Sequence, residues 1–204
     1  MITADEALER LRAGNQQFVA ELGGNNGDTS ESRRRELVEG QEPVAIILGC
    51  SDSRVPAEIV FNQGLGDLFV IRVAGNVVAP SQIDSIEFSA ARHGTRLVVV
   101  LGHSGCGAIL ATIEELGRKP EDQSRKLRSI VDRVRPSVEA LMETEIAKNP
   151  EELIRRSVRN NIRMSVNQLR RGSQVLEYLI EEKGLRIVGA EYSLETGVVE
   201  FFDY

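Results

Sequence analysis

The sequence holds two cysteines and two histidines among 204 residues, has no tryptophan, and is only 4% aromatic. Two cysteines exclude a disulfide framework, and the one internal bridge they allow joins Cys50 to Cys106. In an acidic chain without a leader they are expected as thiols or metal ligands instead. Long apolar runs are missing too: no stretch approaches the roughly 20 residues of a membrane span. The opening Met-Ile-Thr-Ala-Asp-Glu has no basic region leading into an apolar one, so no secretory signal is read there. Nor is there a surplus of positive charge. Lys and Arg number 25 against 31 Asp and Glu, giving a net charge of −6 and a pI near 5.2. That balance argues against general affinity for nucleic acid or anionic membrane. The expected compartment is the cytoplasm. What remains, 41% apolar and 27% charged residues, is ordinary for one domain with a sizeable core.

Along the chain, Thr3 followed by Glu6 reads as a capping box opening a helix. Leu8, Leu11, Asn15 and Phe18 recur at helical spacing with Ala4 and Ala7 beside them, a narrow apolar stripe. The Gly- and Asn-rich break at 23–28 tethers this helix at some distance from the core. Such an arm packs on a partner subunit or on its own domain, and the residues leave both open. Residues 29–39 form a short charged helix ended by Gly40. The run PVAIILG (43–49) reads as a buried strand, LFVIRV (68–73) as the next strand and LVVVL (97–101) as a third, with a helix over 81–93 between the last two. After Cys106 a helix carries Ile109, Leu110, Ile113 and Leu116 and stops at Gly117. Residues 124–148 are mostly helical, kinked or divided by Pro136. Asn149-Pro150-Glu151-Glu152 starts a helix that runs to about Arg171, another spans 173–183, and strands at 185–192 and 198–202 form a hairpin. The fold expected is α/β: one domain over 1–204, with a central, mostly parallel sheet flanked by helices, an N-terminal helical arm and a C-terminal hairpin.

Two short segments hold the chemistry, Cys50-Ser51-Asp52-Ser53-Arg54 and His103-Ser104-Gly105-Cys106. Each follows a strand, and parallel sheets place their sites beyond the carboxyl ends of the strands. Cys50, His103 and Cys106 offer two thiolates and one imidazole, a set suited to zinc. Three protein ligands leave one tetrahedral position open, the arrangement of a catalytic site. Asp52 and Arg54 project to the same side of an extended turn and form an ion pair. An exposed pair of this kind contributes little elsewhere. Beside a metal ligand, the carboxylate orients a metal-bound water, or binds the metal itself if Arg54 is displaced. A zinc-stabilised interaction domain and a metal-free Cys50–Cys106 redox pair are the competing readings. His93, the other histidine, is expected on the surface of a helix.

CSDSR and HSGC, in this order and setting, together with GDLFVIRVAGN and GHSGCGA, resemble the β-class carbonic anhydrases. The resemblance runs from about Thr3 to the C-terminal hairpin. It implies one zinc ion per chain on Cys50, His103 and Cys106, with Asp52 as a possible fourth ligand in a closed state. It also implies an Asp52–Arg54 dyad that orients a zinc-bound hydroxide for attack on carbon dioxide. The substrate implied is carbon dioxide or bicarbonate, and the assembly a homodimer or homotetramer embraced by N-terminal helices, which makes residues 1–28 a dimerisation arm. Gln41, from the partner chain, matches a substrate-binding glutamine, and Phe69 an aromatic of the same pocket. Gly105 is counted with them, while Phe88 replaces a pocket tyrosine. Arg72 and Tyr192 match two places of an inhibitory bicarbonate site found in one subgroup. Ile47 stands where that subgroup has tryptophan, so the chain is placed in the subgroup without it. The nearest alternative is a related zinc hydrolase acting on carbonyl sulfide or carbon disulfide.

Overall fold

A computed structural model describes residues 2–20, 28–122 and 128–202. Its elements in chain order are α1 (Ala4–Val19), α2 (Glu31–Glu36), β1 (Ala45–Gly49), α3 (Ala57–Val60), β2 (Leu68–Arg72), α4 (Pro80–Arg92), β3 (Leu97–His103), α5 (Gly107–Leu116), α6 (Arg128–Met142), α7 (Pro150–Arg171), α8 (Gln174–Lys183), β4 (Arg186–Tyr192) and β5 (Val199–Phe202). The five strands form one sheet in the order β2-β1-β3-β4-β5. β1 pairs parallel with β2 and β3, β3 pairs parallel with β4, and only the β4–β5 hairpin is antiparallel. Among the described residues no helix is long and apolar enough to cross a membrane.

Strand residues alternate between two cores, as the period of 2 requires. Ile46, Leu48, Val98, Val100 and Ile187 face Ile86 and Ala90 of α4, Ile162, Val166 and Leu169 of α7, and Leu176 of α8. Ala45, Ile47, Leu97, Val99, Leu101, Val188 and Ala190 face Ala4, Ala7, Leu8 and Leu11 of α1 and Phe61 after α3. Helices therefore cover both faces, which is why β1 and the stretch of β3 before His103 carry no polar residue.

The helix starts follow local chemistry. Thr3 accepts from the Glu6 N–H while the Glu6 carboxylate takes the Thr3 N–H, closing the capping box. Asn149 accepts from the Glu152 N–H in front of Pro150, and Gly184 ends α8 at φ 69.

Two expectations need correcting. α1 does not stand off the core but packs on its own domain. Gly14 approaches Phe61 so closely that an added Cβ would lie 1.9 Å from the Phe61 carbonyl oxygen. Asn15, which the periodicity grouped with the apolar stripe, is a buried polar bridge. Its amide donates to the carbonyls of Val60 (3.1 Å) and Gly197 (2.9 Å) and its oxygen accepts from the Val199 N–H (2.8 Å). The second correction concerns α6, which is not divided at Pro136 but continues through it as one helix. Proline removes the bond to the carbonyl of Asp132, but both residues sit on the exposed side, where water can serve that oxygen. The part of the expected helix over 124–127 lies outside the described residues. Strand β3 also runs further than the sequence indicates, so that His103 is its last residue rather than the first beyond it.

Candidate metal centre

β1 and β3 are adjacent and parallel, so their carboxyl ends lie side by side and bring Cys50 and His103 together. The turn after β3 then returns Cys106 to the same point. Gly105 adopts φ 62, a conformation open to glycine, and Cys106 becomes the N-cap of α5. The hairpin locks this turn: the Ser104 N–H donates to the Tyr192 carbonyl (2.9 Å), the Ser104 hydroxyl donates to Glu195 (2.9 Å), and the Leu194 N–H donates to that hydroxyl (3.0 Å).

The ligand atoms of Cys50, His103 and Cys106 lie within 4.8 Å of one another, and all three residues are buried. The His103 Nδ1 lies 2.9 Å from the Ser104 carbonyl. A carbonyl only accepts, so Nδ1 carries the proton and Nε2 keeps its lone pair. That Nε2 is buried and has no hydrogen-bond partner. A buried, unpartnered imidazole nitrogen facing two thiols is costly without a ligand and fits a thiophilic cation such as zinc. The two sulfurs titrate as a pair. A hydrogen bond from Cys106 lowers the Cys50 thiol, helped by the Gly75 N–H and opposed by burial. The same bond, with burial, pushes Cys106 up. Thiolates are the metal-binding form, so a cation held here would displace the thiol protons.

Asp52 stands outside this group of three, with Oδ2 3.8 Å from His103 Nε2. Arg54 grips it as a fork, Nε to Oδ1 at 2.9 Å and Nη2 to Oδ2 at 2.8 Å, and the Arg54 N–H adds a third bond at 3.0 Å. These bonds hold the carboxyl well below the usual carboxylate range. The carboxylate is fixed at the rim of the cluster, ionised and pointed.

Two contributions escaped the sequence reading, the clamping role of Arg72 and the Gly75 N–H. Arg72, at the end of β2, donates to the carbonyls of Cys50 (3.1 Å) and Asp52 (2.6 Å) and so clamps the CSDSR segment. The Gly75 N–H points at the Cys50 sulfur, 3.3 Å away. The only sequence signal for the second was the Gly75-Asn76 turn pair after a strand. Tyr192, paired with Arg72 by resemblance, is buried beside Phe18.

The remaining pocket residues lie elsewhere in the chain. Gln41 is exposed just before β1, at the end opposite Cys50. Phe69 pairs with Ile46 at the start of β2, near the same end. Gly105 belongs to the metal turn and, with Ser104, lines a cavity of about 500 Å³ between that turn, α7 and the hairpin. His93 is corrected from a surface residue: it is half-buried, its ring 6.2 Å from Phe69 and 5.6 Å from Phe88 between centroids.

Fold and site together define a class: a mostly parallel α/β domain with a Cys-His-Cys cluster able to hold a metal at the carboxyl edge and an Asp–Arg fork beside it. A family model described as carbonic anhydrase matches residues 45–199. The chain is 38% identical to carbonic anhydrase 2 of Mycobacterium tuberculosis, over 94% of this chain and 89% of that protein. It is 37% identical to the carbonic anhydrase of Mycolicibacterium smegmatis, over 95% of this chain and 91% of that one. Its fold is similar to that of the β-carbonic anhydrase CafA of Aspergillus fumigatus, with a TM-score of 0.74 at 26% identity, covering 94% of this chain and 88% of the other. The chain belongs to the β-class carbonic anhydrase family and is an enzyme, a lyase.

Proposed function

We propose that the chain catalyses the reversible hydration of carbon dioxide to bicarbonate and a proton, with one zinc ion held by Cys50, His103 and Cys106. The observation that carries this reading is the pairing of an orphaned, buried His103 Nε2 with an ionised carboxylate 3.8 Å away. Bound there, zinc supplies a Lewis acid that lowers the pKa of water from 15.7 toward about 7. Asp52 accepts a hydrogen bond from the reacting water and aims its lone pair at the carbon of the substrate. Arg54 keeps that carboxylate ionised and prevents it from turning onto the metal. Arg72 holds the backbone that carries both Cys50 and Asp52.

The same reading includes a second copy of the chain. Gln41 and Phe69 lie at the far end of their strands from Cys50, so they serve a metal centre only across a subunit boundary. Residues 1–28 act as an arm in that assembly: α1 spends one side on its own domain and leaves the other for the partner. Two features support the subgroup without the inhibitory bicarbonate site. The Arg72 guanidinium is engaged with backbone carbonyls, and Ile47 is fully buried in the core.

The test is stopped-flow hydration of carbon dioxide with zinc content measured on the same sample. Stoichiometric zinc and rapid hydration are expected. Faster hydrolysis of carbonyl sulfide would transfer the assignment to the related hydrolase, and activity without metal would overturn it. Sedimentation should show a dimer or tetramer; a fully active monomer would remove Gln41 and Phe69 from the site.

A further inference from the structure

We propose that Asn161, in the middle of α7, is a positioning residue for the Cys50 sulfur. This inference rests on the zinc reading above and assigns a role to residues that never touch the metal.

The Gly75 N–H is the donor that meets Cys50, and Gly75 is a poor support for a fixed donor. It sits at φ 68, ψ 20, in the left-handed region that glycine adopts without strain, so the residue type itself does little to hold the turn. Its side-chain space is closed: an added Cβ would lie 3.0 Å from the Ala108 Cβ and 3.4 Å from Val134 Cγ2. A side chain there would crowd both neighbours; within the turn the Asn76 N–H donates to the Val73 carbonyl at 3.0 Å, and the further restraint comes from outside it. It comes from α7. The Asn161 amide donates to the Gly75 carbonyl at 2.8 Å, and one helical turn later the Ser165 hydroxyl donates to the Asn76 carbonyl at 3.2 Å. Two successive peptides are thus held from one helix face. Asn161 is itself oriented, because the Ser137 hydroxyl of α6 donates to its oxygen at 3.3 Å. All three polar residues are buried, at 3% exposure or less for Asn161 and Ser137 and 5% for Ser165.

The same helix meets the other ligand strand. Ile162 packs on Gly102, the residue before His103, so tightly that a Cβ there would lie 2.7 Å from its side chain. α7 therefore fixes the backbone behind His103 by a steric contact at Gly102, and the turn that donates to Cys50 by a hydrogen bond at Gly75. Asn161 and Ser165, polar residues in an otherwise apolar helix stripe, are explained by what they hold.

An N–H aimed at a ligand sulfur stabilises its negative charge and draws electron density from it. The experiment replaces zinc by cobalt(II) and reads the thiolate-to-cobalt charge-transfer absorption, with zinc affinity measured by chelator competition. In Asn161→Ala the band is expected to shift to lower energy and zinc affinity to fall roughly 10-fold or more. Ser157→Ala is the control, since Ser157 is a fully buried hydroxyl on the same helix with no hydrogen-bond partner. It should leave both readouts at the wild-type value. Should Asn161→Ala fail to fold, Ser137→Ala decides: it frees the Asn161 amide and should shift the band in the same direction by less. A band and a zinc affinity that match wild type in every folded variant would overturn the proposal. Wild-type protein that takes up no stoichiometric metal would instead overturn the zinc reading, a separate result.

Discussion

Replacing Asp52 by Asn separates orientation from metal binding. The substitution keeps size and shape and leaves Cys50, His103 and Cys106 untouched, so zinc content should stay at the wild-type level. The fork changes character. With the amide oxygen under Arg54 Nε and the Arg54 N–H, the amide nitrogen takes the place of Oδ2, where Arg54 Nη2 now sits at 2.8 Å. Two donors then face each other, and the group turned toward the metal centre becomes a donor where an acceptor is required. Stability should barely respond. The Arg54 side chain is 56% exposed, water screens the pair, and the melting temperature is expected to move by less than about 3 °C. Catalysis should respond strongly. Loss of a positioned proton acceptor costs roughly 100- to 10,000-fold, about 3–5 kcal/mol of barrier. Stopped-flow hydration rates at equal zinc content and pH, alongside a thermal melt, give both readouts. An Asp52→Asn enzyme with wild-type kcat/KM would refute the orienting role. So would a variant that lost its rate only because it had lost its zinc.

Three further outcomes probe the scaffold. Gly14→Ala places a methyl group 1.9 Å from the Phe61 carbonyl oxygen, so it should displace α1 and destabilise the chain by about 1–3 kcal/mol in urea unfolding; an unchanged midpoint would mean that α1 does not pack this way. Asn15→Leu leaves the Val60 and Gly197 carbonyls and the Val199 N–H without their partner, at a cost of roughly 3 kcal/mol or more, and wild-type stability would show that water serves all three. Glu152, held down to about 2 from its usual 4.5 by hydrogen bonds from Arg155 and Arg156, contributes stability above the usual carboxylate range and loses it as the pH falls toward 2. The gap between thermal melts of wild type and Glu152→Gln should therefore close on acidification, and a gap that widens would reverse the sign.

What was legible in the sequence was whatever is encoded within a few residues. Continuous apolar runs marked β1 and β3 as buried parallel strands and β2 as a strand, though not that β2 is the half-exposed edge of the sheet, and Asn149-Pro150 marked the start of α7. The strand ends then placed Cys50 beside His103, because adjacent parallel strands leave little freedom there. Facts that depend on what one element meets in another were not legible. The stripe on α1 showed that the helix buries a face, but not against what; Gly14 and Asn15 settle that through Phe61, Val60 and the hairpin, and neither contact leaves a periodic mark. Asn161 and Ser165 recur at helical spacing inside an apolar stripe, which says that they are buried. It does not say what they bind, since the Gly75 carbonyl is 86 residues away along the chain. A chemical site needs both kinds of information. The ligands have to be a particular set of residue types, and that can be read directly. Their supports have only to offer one donor at one place, which asparagine, serine or a backbone amide can each do. The identity of a support is therefore weakly constrained by its chemistry and strongly constrained by its position, and position is what a single sequence conceals.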